Sequence, residues 1–382
     1  MLLFSAMKHA KELVTEALKK ADIVVNGSRP QDIHVHNDSW YGRLLSGGSL
    51  ALGESYMDGW WDAEAVDETI SCIVRARLQD TIRPSASLLW LILHAKITNR
   101  QSTKRAFIVG EQHYDIGNDL YERMLDPWMQ YSCGYWTDGV TNLDEAQEAK
   151  LDLIARKLKL EPGMRVLDVG CGWGGLAKYL AEKHGVSVVG LTISKEQATY
   201  AKEWTKGLPV EIIIADYRTY VTEPFDRIVS VGMFEHVGYK NYRTYMEHMH
   251  RLLKDDGIFL LHTIGGNITH SAGDPWSDRY IFPNGMLPSP TQMGSALEKL
   301  FIIEDWHNFG AYYDHTLMAW CKNFESAWAE LKGKARYDDR FYRMWKYYLL
   351  SFAGAFRARN KTELWQIALT KNGVPGGYKS VR

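Results

Sequence analysis

The sequence predicts an α/β protein: a parallel sheet built from β-α-β units, with a helical insertion near its end, behind a small and mainly helical N-terminal domain. Three observations predict it. From about Leu151 short apolar runs alternate with helical stretches, the first of those runs opens into a glycine-rich turn, and residues 8–20 repeat apolar positions at helical spacing.

In chain order, Ala10, Leu13, Val14, Ala17 and Leu18 fall on one helical face, and a mixed, glycine-punctuated stretch through GGSLALGESYMDGWW follows. Residues 1–100 are assigned to the N-terminal domain, 101–112 to a linker opening on the polar, basic QSTKR, and 113–382 to a catalytic domain. Thr81 to Gly110 holds no acidic residue, while Arg83, Lys96, Arg100, Lys104 and Arg105 flank LLWLILHA. That run is shorter than the ~20 residues of a membrane span, so it predicts an amphipathic or buried helix. Its basic flank is one candidate surface for docking on anionic lipid, and RFYRMWKYYLLSFAGAFRAR (340–359) is a second. A packed helix is the plainer reading of both.

The strands of the catalytic domain are RVLDV (165–169), VSVVGL (186–191), VEIIIA (210–215), FDRIVSV (225–231), GIFLLHTI (257–264), FIIEDWHNF (301–309) and LWQIALT (364–370). Helices over 176–184, 195–204 and 242–253 fill gaps between them, and a helix-rich segment from about Thr316 to Arg359 precedes the last strand, large enough for a lid or a pocket wall.

Composition excludes several classes. Apolar residues at 46% and charged residues at 24% are those of a folded chain, and a net charge of -1 gives no global field toward nucleic acid. Four cysteines lie far apart without a C-x-x-C pair, which argues against a zinc site or a disulfide framework and fits a reducing cytosol. No charged region precedes an apolar core at the N-terminus, so the protein is expected to be neither secreted nor integral to a membrane. The aromatic excess, 14 Trp, 21 Tyr and 12 Phe, suits either a long apolar pocket or an aromatic core.

The first strand runs into DVGCGWGG, with Asp168 at its end and Gly170, Gly172, Gly174 and Gly175 in the turn that opens the next helix. Gly170, Gly172 and Gly175 also satisfy the spacing of dinucleotide-binding proteins, so a nicotinamide enzyme competes with a methyl-donor site. Two features favour the methyl donor. The second strand ends in Gly190-Leu191-Thr192 with no carboxylate for a ribose, and Asp168 suits a ligand carrying an ammonium, as S-adenosylmethionine does. After the third strand, Asp216 and Tyr217 offer an acceptor for an exocyclic amine and a ring to pack on adenine. A turn that serves only packing is the plainer alternative.

Longer strings are more specific than any glycine turn: LGESYMDGWW (52–61), HYDIGNDLYERMLDPWMQYSCGYW (113–136), VLDVGCGWGGLAKY (166–179), VVGLTISKEQ (188–197), RIVSVGMFEHVG (227–238), LLHTIG (260–265) and FGAYYDHTLMAW (309–320). On these the sequence resembles the cyclopropane-fatty-acyl-phospholipid synthases, relatives of the mycolic acid cyclopropane synthases, over nearly the whole chain. The first string lies in an N-terminal region that the mycolic acid enzymes lack, which points to the phospholipid-acting branch.

The resemblance implies the class I S-adenosylmethionine-dependent methyltransferase fold. It also implies an enzyme that converts the cis double bond of unsaturated acyl chains in membrane phospholipid into a cyclopropane ring, as a cytoplasmic homodimer peripheral to the inner face of the cytoplasmic membrane. By similarity, Tyr131 and Ser132 contact the donor's methionine end with Gly170 in the turn, Thr192 and Gln197 contact the ribose, and Asp216 and Tyr217 fall in the adenine region. A bicarbonate ion is implied at a second site, held by Cys133, Glu235, His262, Tyr313 and the backbone at Ile264, with no metal.

The chemistry suits such a set. Attack of an unactivated alkene on a sulfonium methyl needs close alignment and a dry site, and it leaves a carbocation whose new methyl carbon must lose a proton to close the ring. Singly, Cys133 has a plainer reading as an inert buried thiol, His262 as a core histidine and Glu235 as a helix cap. Together, three of them follow or flank the C-terminal ends of the strands, where such folds bind ligands. The reaction does not require Cys133 as a covalent nucleophile, and Cys171 reads as packing. YMDGWWD reads as core or interdomain surface. An enzyme that stops at a methyl branch and an inactive lipid-binding protein are the competing functions, and the presence of Glu235 and His262 argues against the inactive one.

Overall fold

The computed structural model describes residues 2–78, 117–334 and 336–382; the acid-free run with LLWLILHA and the basic connector lie outside the described residues. The first described elements are α1 (Leu2–Lys20), β1 (His34–Val35), α2 (Trp40–Met57), β2 (Trp61–Asp62), α3 (Val66–Arg75), α4 (Asn118–Met124) and α5 (Leu143–Leu158). There follow β3 (Arg165–Val169), α6 (Gly175–His184), β4 (Ser187–Thr192), α7 (Lys195–Trp204), β5 (Val210–Ile214), β6 (Phe225–Val231), α8 (Tyr242–Leu252) and β7 (Leu253–Gly266). The last are α9 (Pro275–Tyr280), α10 (Pro290–Leu297), β8 (Ile302–Asn308), α11 (Tyr312–Leu331), α12 (Asp339–Ala358) and β9 (Thr362–Thr370).

The chain divides into two compact units, each assembled from three stretches. One gathers Met1–Thr98, Ser271–Pro283 and Leu317–Thr362; the other gathers Asn99–His270, Asn284–Thr316 and Glu363–Arg382. The helical insertion therefore packs as part of the same unit as the N-terminal segment. Its helix α12 approaches α3 so closely that a Cβ on Gly354 would lie 2.1 Å from the Asp67 carbonyl oxygen. YMDGWW is core here. Tyr56, Met57 and Trp61 are buried, Trp61 Nε1 donates to Leu52 O at 3.0 Å, and Tyr56 and Trp276 pack on Tyr347 with ring centroids 5.3 and 4.7 Å away. Four of the five basic residues of the 340–359 segment are spent internally, Arg340, Arg343, Lys346 and Arg357 pairing with Asp58, Asp62, Glu325 and Asp67, while Arg359 at the end of the helix is exposed. They leave a packed helix rather than a free basic face.

The second unit holds a seven-stranded sheet in the order β5-β4-β3-β6-β7-β9-β8. All seven expected strands form, β7 starting at Leu253 rather than 257 and β9 at Thr362 rather than 364. The pairs β5–β4, β4–β3, β3–β6 and β6–β7 are parallel and β8–β9 is antiparallel. Parallel strands are covered on both faces, and Val166, Leu167, Val189, Leu191, Ile228, Val229, Leu260 and Leu261 are accordingly buried. The chain runs outward from β3 through β4 to β5, then returns to β6 on the other side of β3. That reversal is the switch point where open sheets bind ligands, outside the C-terminal strand ends. Among the described residues no helix is long and apolar enough to cross a membrane.

Candidate active site

The strand order lays the expected residues out in sequence along the C-terminal edge of the sheet: Asp216 and Tyr217 after β5, Thr192 at the end of β4, Asp168 and the glycines at β3, Glu235 after β6, and His262 and Ile264 on β7. A donor half and a second half result, side by side.

In the donor half, the N–H groups of Gly170 and Cys171 both donate to Leu191 O, at 3.0 and 2.9 Å, which ties the glycine turn to the end of β4. The glycines divide the labour. A Cβ on Gly175 would lie 1.8 Å from Trp128 O, so that glycine serves packing. Gly172 has φ +54° and an added Cβ would meet nothing within 4 Å, so it faces open space that a ligand can fill. Thr192 Oγ1 donates to Gln197 Oε1 at 3.1 Å, and Ser194 caps α7 through the Gln197 N–H, which fixes both expected ribose residues. Tyr121 packs between Tyr131 and Trp173 of the glycine turn, with centroids 5.2 and 4.8 Å away, and so places Tyr131 beside the turn.

Asp168 is buried, and its Oδ2 has no hydrogen-bond partner among the described residues. Burial raises its carboxyl to about 7, with the Lys150 cation pulling the other way. An enclosed carboxyl oxygen without a partner fits a ligand that brings an ammonium. The adenine pair is different. Arg218 forks onto Asp216, with Nε 2.8 Å from Oδ1 and Nη2 against Oδ2, and Tyr217 packs into the core 4.9 Å from the Tyr245 ring. Neither stands open to a ligand as the sequence reading expects.

In the second half, the chain leaving β6 turns at Gly232, whose N–H donates to His262 O at 3.0 Å, and comes back over β7. There Glu235 Oε1 accepts from the Ile264 N–H at 2.7 Å, so the expected backbone ligand is engaged by the carboxyl beside it. Glu235 Oε2 and His262 Nε2 are buried without hydrogen-bond partners among the described residues. Burial raises Glu235 to about 7 and pushes His262 well below its ordinary value. Gln366 Nε2 lies 3.2 Å from His262 Nδ1, and an amide N–H₂ only donates, so Nδ1 accepts and Nε2 carries the proton. Cys133 is enclosed, its Sγ near Gly134 O and 3.7 Å from Thr316 Oγ1, and burial lifts the thiol far above its usual range, which disfavours a nucleophilic thiolate. Tyr313 lies in the first turn of α11 and is buried, and Phe309 meets His262 edge-on at 5.7 Å.

The sequence reading missed Asp126, Gln130, Gln147, Lys150, Thr316 and Gln366. Thr316 Oγ1 accepts from the Gly134 N–H at 3.0 Å and from Trp136 Nε1 at 2.9 Å, which holds the Cys133 segment. The signal for two of the others was present. Ala146, Gln147, Lys150, Leu151 and Ile154 share one helical face, so polar residues stood on a buried stripe.

Strand order, glycine turn and the Thr192–Gln197 pair at the end of β4 together define the fold of S-adenosylmethionine-dependent methyltransferases. The solved structures agree: the cyclopropane synthase MmaA2 from Mycobacterium tuberculosis matches with TM-score 0.65 and 31% identity over 69% of this chain and 98% of that one. The mycolic acid cyclopropane synthase CmaA1, crystallised with SAH and CTAB, matches with TM-score 0.63 and 35% identity over 69% and 98%. By sequence, the chain is 54% identical to the cyclopropane-fatty-acyl-phospholipid synthase of Escherichia coli (strain K12), over 97% of this chain and 95% of that one. It is 37% identical to cyclopropane mycolic acid synthase 1 of Mycobacterium tuberculosis (strain ATCC 25618 / H37Rv), over 65% and 91%. The model of the mycolic acid cyclopropane synthetase family matches residues 101–367, and the chain belongs to that family. It is an enzyme that forms cyclopropane rings with S-adenosylmethionine as donor.

Proposed function

We propose that the acceptor is the cis double bond of an unsaturated acyl chain in membrane phospholipid, and that a bicarbonate ion bound beside Glu235 and His262 takes part. The observation that carries this reading is the pair of buried, unpartnered atoms Glu235 Oε2 and His262 Nε2 next to the donor turn. The phospholipid substrate is supported by the E. coli relative, whose match spans 97% of this chain where that of the mycolic acid enzyme spans 65%.

In this reaction the alkene π pair attacks the sulfonium methyl carbon, the carbon–sulfur bond breaks onto sulfur, and S-adenosylhomocysteine leaves. The cation forms on the other alkene carbon. Loss of a proton from the new methyl carbon frees its C–H pair to close the ring. A bicarbonate held by Glu235 and His262 would supply the base for that proton. His262 donates from Nε2 in its neutral form, and Glu235, raised to about 7 by burial, donates from Oε2 in its protonated form, so both hold an anion while their own charges are absent. Phe309, with Tyr135 and Tyr312 at 5.4 and 6.1 Å from it, gives an apolar, non-nucleophilic lining that stabilises a cation without trapping it. The enzyme reaches the acyl chain by docking on the membrane surface, and as a homodimer two such surfaces would strengthen attachment.

The test is mass spectrometry of phospholipids from cells expressing the protein. Acyl chains should gain one CH₂ and stop reacting as alkenes. A gain of one CH₂ with the alkene retained would replace ring formation with methylene branching.

A further inference from the structure

Lys150 stands on α5 with its side chain fully enclosed, and its Nζ donates to Gln130 Oε1 at 2.6 Å and to Ser132 Oγ at 2.8 Å. One turn earlier, Gln147 Nε2 donates to Ser132 O at 2.8 Å. α5 therefore grips both the carbonyl and the hydroxyl of one residue. Upstream, the Gln130 N–H is held by Asp126 Oδ1 at 2.9 Å; downstream, the Tyr135 N–H donates to Ala146 O at 2.8 Å. The segment carrying Tyr131, Ser132 and Cys133 is thus fixed on both sides.

Packing alone does not call for an ammonium here. The same helix face carries Leu151 and Ile154, both fully buried, and enclosing a cation costs several kcal/mol unless it is compensated. Burial does press Lys150 down, to about 8, while Asp126, Cys133 and Asp168 hold it up. What a lysine supplies that an apolar residue does not is direction. An ammonium has only donors, so Ser132 Oγ must accept from it, and the hydroxyl's own proton is turned away from Nζ. Among the described residues no partner takes that proton.

We propose that Lys150 is a positioning residue that fixes Ser132 as a hydrogen-bond donor to the carboxylate at the amino-acid end of the methyl donor. The inference rests on the reading of Ser132 as a donor-site residue. Without the lysine the hydroxyl rotates among its wells and can present its lone pairs to the carboxylate; with it, the hydroxyl is set and polarised before the ligand arrives.

The test uses the full chain and two probes, S-adenosylmethionine and its decarboxylated analogue, titrated by calorimetry into Lys150→Met, Ser132→Ala and the double variant. Each single variant should weaken S-adenosylmethionine about tenfold while leaving the analogue nearly unchanged, the loss of a hydrogen bond to a charged group. The double variant should lose no more than either single one. Equal losses for both probes, or losses that multiply in the double variant, would overturn the inference and make Lys150 a purely structural residue. Ser132→Ala removes one oxygen and keeps the lysine. Should Lys150→Met not fold, unchanged preference between the probes in Ser132→Ala overturns the proposal by itself. Wild type that makes no cyclopropane lipid yet shows the expected probe preference would sink the proposed function and leave this inference standing.

Discussion

At the scale of the residue, the site holds groups at protonation states that folding has to impose. Glu235 titrates at about 7 in the folded protein against an ordinary 4.5, because burial penalises its charged form. The folded state therefore binds that proton more tightly than the unfolded chain does, and the penalty develops as pH rises from 4.5 through about 7. Glu235→Gln lacks the penalty. Its melting temperature should match wild type at pH 4 and exceed it at pH 8, by at most roughly 3 kcal/mol of stability; melting curves that run parallel at both pH values would remove Glu235 as the cause. If bicarbonate binds as proposed, the concentration of free bicarbonate for half-maximal rate should rise above pH 7 in wild type, since charged Glu235 would repel the anion, and should stay flat in Glu235→Gln. Gly172 makes a second residue-scale case. Gly172→Val should fold with a loss of about 1–2 kcal/mol for its left-handed backbone and should abolish donor binding, because its side chain enters the open space beside the turn. Unchanged affinity by calorimetry would show that the ligand does not come near Gly172.

At the scale of the element, the strands were legible because each is a short apolar run ending in a turn signal, and that information is local. Their pairing is not. Nothing in LWQIALT says that β9 inserts between β7 and β8, since that depends on contacts across the whole sheet. The helical insertion shows the same limit: its apolar periodicity predicted helices, but only packing shows that α12 seats on α3 with backbones in contact at Gly354. Gly354→Val should cost about 3 kcal/mol or more, since the overpacking falls on backbone that cannot yield. A denaturant midpoint close to wild type would mean that α12 can shift away from α3 without loss.

At the scale of the whole molecule, the proposed docking on a membrane would depend on which charges remain free. The basic residues of α12 are neutralised within the helical unit, so Arg340→Gln and Lys346→Gln should leave sedimentation with anionic vesicles unchanged. Replacing Lys104 and Arg105 by Gln should weaken it, most visibly at low salt. The opposite pattern would move the docking surface to α12. The sequence by itself determined the α/β class, the glycine turn and the family, because these are written in contiguous strings and local periodicities, and the same strings nominated Asp168, Glu235 and His262 as site residues. What it could not show is that Arg218 already occupies the Asp216 carboxylate and that Tyr245 packs on the Tyr217 ring. Only the tertiary structure decided that Lys150 meets Ser132 and that Gln366 sets the tautomer of His262. Those contacts join residues 18 and 104 positions apart, and a lysine or a glutamine on an apolar stripe acquires its role only from what the fold places opposite it.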